Sequence, residues 1–209
     1  MKIGILGSGN VGGTLGTRWA QLGHDVVFSS REPGSQQMKE LVARAGKSAR
    51  AATTTETVAS SDVVVLATPW PAVQSALAGS GNLQGKILVD AINPLAPDLS
   101  KLEVGTTSSC AELVASWAPG ARVVKAFNTI GYAVMGDPKV NGEGVVMFYC
   151  GDDADAKKTI AELATELGFD ARDAGPLTQA RLLEPLALLW ISLAFQQGYG
   201  FHWGFKVMK

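Results

Sequence analysis

KIGILGSGNVGGTLGTRWAQL, residues 2–22, is the stretch that decides the fold. Residues 2–6 are an apolar run typical of a strand, and an apolar-periodic stretch typical of a helix follows the glycines. A G-x-G-x-x-G turn between a strand and a helix is characteristic of a dinucleotide-binding site. Its glycines permit the tight turn, the approach of a pyrophosphate and close helix packing. The sequence therefore predicts a dinucleotide site at Gly7, Ser8, Gly9, Asn10, Val11 and Gly12. The alternative is a structural turn that binds no phosphate.

The composition argues against several classes of function. The chain has 209 residues, a formal net charge of −1 and a hydrophobic share of 46%, which is ordinary for a globular protein. Nucleic-acid binding would need clustered Lys and Arg, which the sequence lacks. The apolar runs are too short for a membrane span, and the start of the chain does not resemble a signal peptide. We therefore predict a cytoplasmic protein without nucleic-acid or membrane partners.

The cysteines and histidines do not form a metal or hydrolase motif. Cys110 and Cys150 have no metal-ligand spacing, so we expect reduced thiols in the core. His24 and His202 are the only histidines, and neither has a Cys or His close in sequence that would suggest a metal site. No metal is predicted.

The residues after the second predicted strand select the cofactor. An NAD enzyme usually places Asp or Glu about 20 residues beyond the glycine turn, where it binds the ribose 2′-hydroxyl. This chain has Ser30 and Arg31 there, which can donate to a 2′-phosphate and pair with it. The sequence therefore favours NADP(H) over NAD. Glu32 follows directly and is less favourable to a phosphate; alternatively, Arg31 is only a solvated charge at a helix start.

Residues 25–127 alternate between strand-type and helix-type stretches without a break in composition. This pattern predicts a βαβ series with a parallel sheet, and residues 1–127 are predicted to form the NADP-binding domain. Ligands of doubly wound sheets lie beyond the carboxyl ends of the strands. The residues that follow two of the predicted strands are therefore expected to border the nicotinamide: Thr68, Pro69, Trp70, Asn93 and Pro94. For Trp70, ordinary packing is the alternative.

Residues 128–209 are predicted to be a small α/β extension that packs on the first domain. They end in a long helical pattern to Gln197 that is apolar over most of its surface. Such a helix must be buried, and a single small domain can hardly cover it. We therefore predict a homodimer formed through this helix. Pro185 is expected to kink the helix or to mark its start.

Beyond the glycine turn, the whole chain resembles the family of F420-dependent NADP oxidoreductases. These enzymes transfer a hydride between NADPH and the deazaflavin coenzyme F420. The resemblance is carried by Gly23-His24, Ser30-Arg31, Pro69-Trp70, Cys150-Gly151-Asp152-Asp153 and, most specifically, Asp173-Ala174-Gly175-Pro176-Leu177 with Arg181-Leu182. It implies NADP(H) as cofactor and F420 or a flavin (FMN or FAD) as second substrate.

Two positions depart from the archaeal members of that family. Those members carry His-Thr-Ile where this chain has Asn128-Thr129-Ile130, and they tend to have a second Arg where it has Glu32. The form Ala126-Phe127-Asn128-Thr129 is closer to bacterial relatives and to the cytosolic domain of the six-transmembrane metalloreductases. Those metalloreductases use NADPH with flavin and pass electrons to metal.

The sequence predicts a doubly wound Rossmann fold and an NADP(H)-dependent oxidoreductase, and the family resemblance implies a deazaflavin or flavin-type acceptor. A chain without an evident acid–base pair fits hydride transfer, in which the protein mainly supplies placement. The candidates for the acceptor side are Asn128, Thr129, Ile130, Pro176 and Leu177. Asn128 is expected either to bind a carboxamide or flavin carbonyl or to be a turn residue. The alternatives are a reductase of another small acceptor (a quinone, an imine, or a metal through flavin) and a non-enzymatic NADP-binding regulator.

Overall fold

Eight strands form one sheet in the computed structural model, which describes residues 1–208. The strands of the chain are β1 (Lys2–Leu6), β2 (Asp25–Ser29), β3 (Ala49–Ala52), β4 (Val63–Leu66), β5 (Ile87–Asp90), β6 (Arg122–Lys125), β7 (Lys139–Val140), β8 (Glu143–Gly144), β9 (Val146–Gly151) and β10 (Asp170–Asp173). The order in the sheet is β10-β9-β6-β5-β4-β1-β2-β3, and β7 and β8 form a separate hairpin. The six strands from β3 to β6 are parallel and have the 3-2-1-4-5-6 order of a dinucleotide-binding fold.

Helices cover both faces of the sheet, as a doubly wound fold requires. Ser109 and Asp153 cap the helices that follow them, because their side chains accept hydrogen bonds from the amides of Glu112 and Ala156. The helices are α1 (Asn10–Gln21), α2 (Gln36–Ala45), α3 (Thr54–Ala59), α4 (Val73–Ala78), α5 (Cys110–Trp117), α6 (Tyr132–Gly136), α7 (Ala154–Leu167) and α8 (Ala180–Gln196), with 3-10 turns at Trp70–Ala72 and Leu177–Gln179.

The central strands are buried on both faces, which explains their continuous apolar sequence. Every residue of β4 and of β5 is buried. Cys110 and Cys150 are free thiols in this core, and burial raises the pKa of Cys150 to about 12. The predicted fold class is confirmed: a Rossmann sheet that is mostly parallel, followed by a C-terminal helix.

The last third of the chain differs in detail from the sequence-based expectation. β9 runs antiparallel to β6, and β10 runs parallel to β9. Both strands therefore extend the sheet but run opposite to its six parallel strands. The β7–β8 hairpin and α6 were not predicted. α8 begins at Ala180, so Pro185 lies inside the helix and does not mark its start. The division of the chain at residue 127 stays a prediction.

α8 carries two apolar stripes. One is buried against the rest of the chain and includes Leu183, Ala187 and Trp190. The other faces outward, with 65% of Leu182 and 50% of Leu189 exposed. None of the helices within residues 1–208 combines the length and the apolar character that crossing a bilayer demands.

Candidate functional site

The glycine turn after β1 has the geometry that its three glycines predict. Gly7 has a φ of +100°, and a Cβ there would lie 2.5 Å from the carbonyl oxygen of Ala67. A Cβ on Gly12 would collide with the carbonyl oxygen of Gly7, because α1 passes directly over the turn. Side chains are therefore excluded at both positions for reasons internal to the fold.

Gly9 differs from the other two glycines. A Cβ on Gly9 would meet no atom within 4 Å, and its φ of −72° is accessible to any residue. Nothing in the described chain therefore requires glycine there, whereas a pyrophosphate pressed against the backbone would. Gly9 is the N-cap of α1, whose first turn contains no acidic residue. The positive end of that helix dipole is available to an anion, so the turn fits the diphosphate of a dinucleotide.

A cleft of about 520 Å³ opens above the turn at the edge of the sheet where the parallel strands end, the carboxyl edge. It is bounded by the glycine turn and by the loops after β4 and β5. Trp70 stacks on Trp117 with ring centroids 5.8 Å apart, so its ring is held by packing while it also borders the cleft. We call the loops after β4 and β5 the rim of the cleft; Pro94 belongs to the second of these loops and is buried. The cleft brings together nine of the residues that the sequence predicts to bind the cofactor: Gly7, Ser8, Gly9, Asn10, Val11, Thr68, Pro69, Trp70 and Asn93.

Ser30 and Arg31 follow β2, at the same edge of the sheet. The Ser30 hydroxyl accepts a hydrogen bond of 3.0 Å from the amide of Glu32, which shapes the loop and leaves the hydroxyl proton free to donate. Arg31 is exposed, and within residues 1–208 no hydrogen bond or ion pair engages its guanidinium. Both side chains are therefore available to a 2′-phosphate.

Asn128, Thr129 and Ile130 lie behind the rim and are each nearly buried. The Asn128 side chain donates to Asn93 Oδ1 and to the carbonyl oxygen of Leu183, both at 3.0 Å, and Asn93 donates in return to the Asn128 carbonyl oxygen. Asn128 thus has a clear structural role: it ties the loops after β5 and β6 to α8.

Unsatisfied polar atoms concentrate at this edge. Among residues 1–208, six buried side-chain polar atoms have no hydrogen-bond partner, and three of them belong to Thr68, Asn128 and Thr129. Phe127, which precedes Asn128, is fully buried at a φ of +65°, which is uncommon for a bulky residue. Orphaned polar atoms and backbone strain are both features of ligand sites.

A second cavity, of about 340 Å³, adjoins the cleft and is lined mainly by aromatic rings. We call it the aromatic pocket. Its walls come from the start of α1, from the loop and helix after Ile130, from α8 and from the segment after α8: Asn10, Gly131, Tyr132, Ala133, Trp190, Phe195 and Phe201. Asn10 lines both cavities, so the two lie side by side at the start of α1. The sequence did not single out these rings.

Pro176 and Leu177 line neither the cleft nor the aromatic pocket. β9 is antiparallel to β6, so the end of β9 lies toward the start of β6 and away from the carboxyl edge. The Leu177 amide donates to Asp152, directly after β9, at 2.9 Å, and Leu177 packs in the core. Pro176 and Leu177 are thus not among the residues that border the two cavities, and their acceptor-side role stays a prediction.

Sequence reasoning missed a buried ionic cluster beneath the rim. Lys125, Asp90 and Glu184 are at most 1% exposed, and the Lys125 ammonium lies 3.0 Å from Asp90 and 2.8 Å from Glu184. Asp90, Cys110 and Glu184 have potential metal-ligand atoms within 4.8 Å of one another, but the ammonium takes the place of a cation between the carboxylates. The available signal was weak: Asp90 and Lys125 end the short strands β5 and β6, and Glu184 lies within the mostly apolar α8.

Comparison with known proteins agrees with this geometry. The family model for coenzyme F420-dependent NADP oxidoreductases matches residues 2–94. The F420-dependent NADP reductase of Methanocaldococcus jannaschii is 30% identical over 207 residues, and the match covers 92% of each chain. The chain belongs to the family of F420-dependent NADP oxidoreductases. This membership confirms the predicted class of NADP-dependent oxidoreductase.

Two other proteins are similar to this chain. A provisionally assigned F420-dependent NADP reductase from Arthrobacter sp. FB24 has a crystal structure that matches the full length of both chains, with a TM-score of 0.90 and 33% identity. The rat metalloreductase STEAP3 is 37% identical over 191 residues. The chain spans only 37% of the length of STEAP3, although the match covers 90% of this chain. The resemblance to metalloreductases is thus also supported.

Proposed function

We propose that this member of the F420-dependent NADP oxidoreductase family transfers a hydride between NADPH and a planar deazaflavin or flavin ring. The observation that carries the proposal is that the cleft at the glycine turn and the aromatic pocket share Asn10 and therefore lie side by side. The cleft at the glycine turn lies beside a pocket lined mainly by aromatic rings, and both volumes are typical of small-ligand sites. Aromatic walls favour a flat, conjugated ring by offset stacking.

The residues would divide the work between binding and placement. NADPH, when bound, supplies the hydride. The amides at the start of α1 would hold the diphosphate, and Ser30 and Arg31 would hold the 2′-phosphate. Thr68 and Asn93 would orient the nicotinamide end through their polar side chains at the rim. The aromatic pocket would position the acceptor ring and exclude water. Positioning the reactants and excluding water are the main contributions of the protein to hydride transfer.

The proposal is tested by assaying NADPH oxidation against F420, FMN, FAD, a quinone and an imine side by side. We expect F420 or a flavin to give the highest kcat/KM. If a quinone or an imine were the best acceptor, the protein would still be an NADP-dependent oxidoreductase, but the proposed deazaflavin or flavin acceptor would be refuted. Tight NADPH binding without oxidation by any of the five would instead identify a non-enzymatic NADP-binding regulator.

Truncating one ring of the aromatic pocket should affect the acceptor more than NADPH. Phe201 lines the pocket and is about half exposed, so Phe201→Ala removes a ring without opening the core. We expect the KM of the acceptor to rise about 5- to 30-fold, while the Kd of NADPH changes little. Tyr199→Ala is the matched control, because Tyr199 is an exposed aromatic residue that does not line the pocket. Equal effects of the two variants would contradict the acceptor assignment.

Arg31→Ala should weaken NADPH binding about 10- to 100-fold and leave NADH binding nearly unchanged, because only NADPH carries the 2′-phosphate that the guanidinium would pair. Calorimetric titration with both dinucleotides measures the difference. Arg50→Ala, at an exposed arginine on β3 outside the cleft, is the control. Equal losses for NADPH and NADH would refute the 2′-phosphate role of Arg31.

We also propose that a second copy of the chain covers the outward stripe of α8. Leu182, Leu186, Leu189 and Leu193 are spaced four, three and four residues apart, the spacing of a helix–helix seam. A leucine stripe repeated on two identical copies is self-complementary, as a two-fold interface requires. The homodimer and the cytoplasmic location both stay predictions.

Leu189→Glu should convert the dimer to a monomer at micromolar concentration, since each interface would bury two unpaired carboxylates. Sedimentation velocity measures the change. Thr178→Glu adds the same charge at an exposed residue just before α8 and should leave the dimer intact. A wild-type protein that already sediments as a monomer would refute the proposed interface.

A further inference from the structure

The ionic cluster of Lys125, Asp90 and Glu184 is fully hydrogen-bonded. The Lys125 ammonium uses its three donors on Asp90, Glu184 and the carbonyl oxygen of Ile92. The Glu184 carboxylate accepts from the amides of Cys110 and Ala111 at 3.0 and 3.2 Å, which are the first two residues of α5. A polar network with every partner in place permits little variation in geometry.

The charges in the cluster stabilise one another. Burial alone would lower the pKa of Lys125, but Asp90 and Glu184 outweigh that effect and raise the pKa above its ordinary value. Burial raises the pKa of Glu184, against the opposing effects of Lys125 and the Cys110 amide. The dipole of α5 adds positive potential at the Glu184 carboxylate. The lysine is therefore firmly charged, and the three side chains hold together as a unit.

The cluster is linked directly to the rim of the cleft. Asp90 accepts a hydrogen bond of 2.9 Å from the amide of Ile92, and Ile92 lines the cleft. The Asn93–Asn128 pair lies next to it and reaches α8 through the carbonyl oxygen of Leu183, the neighbour of Glu184. Two adjacent residues of α8 are thus tied to the loops after β5 and β6.

The same helix then continues to the aromatic pocket. Trp190 packs so closely on Gly131 that a Cβ there would lie 2.5 Å from the Trp190 ring, and Trp190 and Phe195 both line the pocket. The position of α8 relative to the sheet therefore fixes the distance between the pocket and the cleft.

We propose that Lys125 and Glu184 are positioning residues for hydride transfer: through Ile92 and α8 they hold the acceptor pocket in register with the nicotinamide end of the cleft. This proposal rests on the proposed function. Apolar contacts bury α8 as well, and the directional hydrogen bonds of the cluster add a constraint on the translation of the helix along the sheet. Hydride transfer is sensitive to that translation, because a displacement of about 1 Å can lower a rate 100-fold.

The test compares Glu184→Gln with Leu163→Ala in the full chain. Glu184→Gln keeps the shape of the side chain but cannot accept from Lys125 and both α5 amides together. Leu163 is a buried residue of α7 outside both cavities, and Leu163→Ala is expected to lower Tm at least as much. For Glu184→Gln we expect an unchanged Kd of NADPH, a kcat reduced about 10- to 100-fold with the best acceptor, and faster amide hydrogen exchange in residues 183–196.

The outcomes separate this proposal from the proposed function. The exchange measurement needs no acceptor, so wild-type exchange in residues 183–196 of Glu184→Gln would overturn the positioning role even if the activity were absent. If kcat falls in proportion to Tm in both Glu184→Gln and Leu163→Ala, the cluster contributes to stability and does not position the acceptor pocket. A wild-type protein that binds NADPH but oxidises it with no acceptor would refute the proposed function instead.

Discussion

Gly9→Ala should fold as well as the wild-type protein and bind NADPH about 100-fold or more weakly. The backbone at Gly9 accepts a Cβ without strain, and that Cβ would meet no atom of the described chain. It would, however, stand where the diphosphate approaches the amides at the start of α1. Loss of two charge-assisted hydrogen bonds, each contributing about 1.5–3 kcal/mol, accounts for the expected fall in affinity.

Stability should change little, because two small effects oppose each other. Alanine reduces the entropy of the unfolded chain, which stabilises by about 0.4–1 kcal/mol, but it is a poorer N-cap than glycine. We expect Tm within about 3 °C of the wild-type value. Calorimetric titration and thermal unfolding of the same preparations measure both quantities.

Two other glycines provide the controls. Gly12→Ala should lower Tm and affinity together, since its Cβ collides with the Gly7 carbonyl oxygen. Gly79→Ala, at the end of α4 and outside both cavities, should change neither by much. If Gly9→Ala keeps the wild-type affinity for NADPH, the diphosphate does not lie against this turn, and the cofactor site needs another location.

The amino-terminal part of the molecule was predictable because its signals are local. The glycine turn and the apolar strands each depend on a few consecutive residues, and each has the predicted structure. The direction of β9 was not predictable in this way. It depends on which edge of the sheet receives the strand, and that choice determines that Pro176 and Leu177 lie away from the cleft.

The aromatic pocket and the ionic cluster depend on contacts between distant segments. Asn10 and Phe201 come from opposite ends of the chain, and periodicity gives no indication that they meet. The cluster gave a weaker signal in the sequence: Lys125 directly follows the apolar pair Val123-Val124 in β6, and a lysine that is buried must have a partner. The sequence contains many carboxylates, and it does not identify Asp90 and Glu184 as those partners.

Lys125→Met should be the most destabilising of the substitutions considered. It leaves Asp90 and Glu184 buried without their cation, and removing one partner of a buried ionic group typically lowers stability by about 3–5 kcal/mol. For a chain of this size that corresponds to a fall in Tm of roughly 6–20 °C. Thermal unfolding of the full chain measures it.

The loss of stability in Lys125→Met should increase as the pH rises. The folded-state pKa of Glu184 is already raised by burial, from an ordinary value of 4.5, and removal of Lys125 should raise it further. A carboxyl group with a raised folded-state pKa contributes stability below pH 4.5, and that contribution is lost as the pH rises through the folded-state pKa. The deficit of Lys125→Met relative to wild type should therefore be larger at pH 8 than at pH 5.

The triple variant Asp90→Asn, Lys125→Met, Glu184→Gln isolates the charge from the packing. It has no buried ionic group left in the cluster, so it should recover most of the lost Tm and show no such pH dependence. It should not recover turnover if the ionic geometry positions α8. A triple variant as unstable as Lys125→Met would mean that the methylene chain of Lys125 and not its charge holds the core together. The cluster would then be a packing feature of β6 with no electrostatic role.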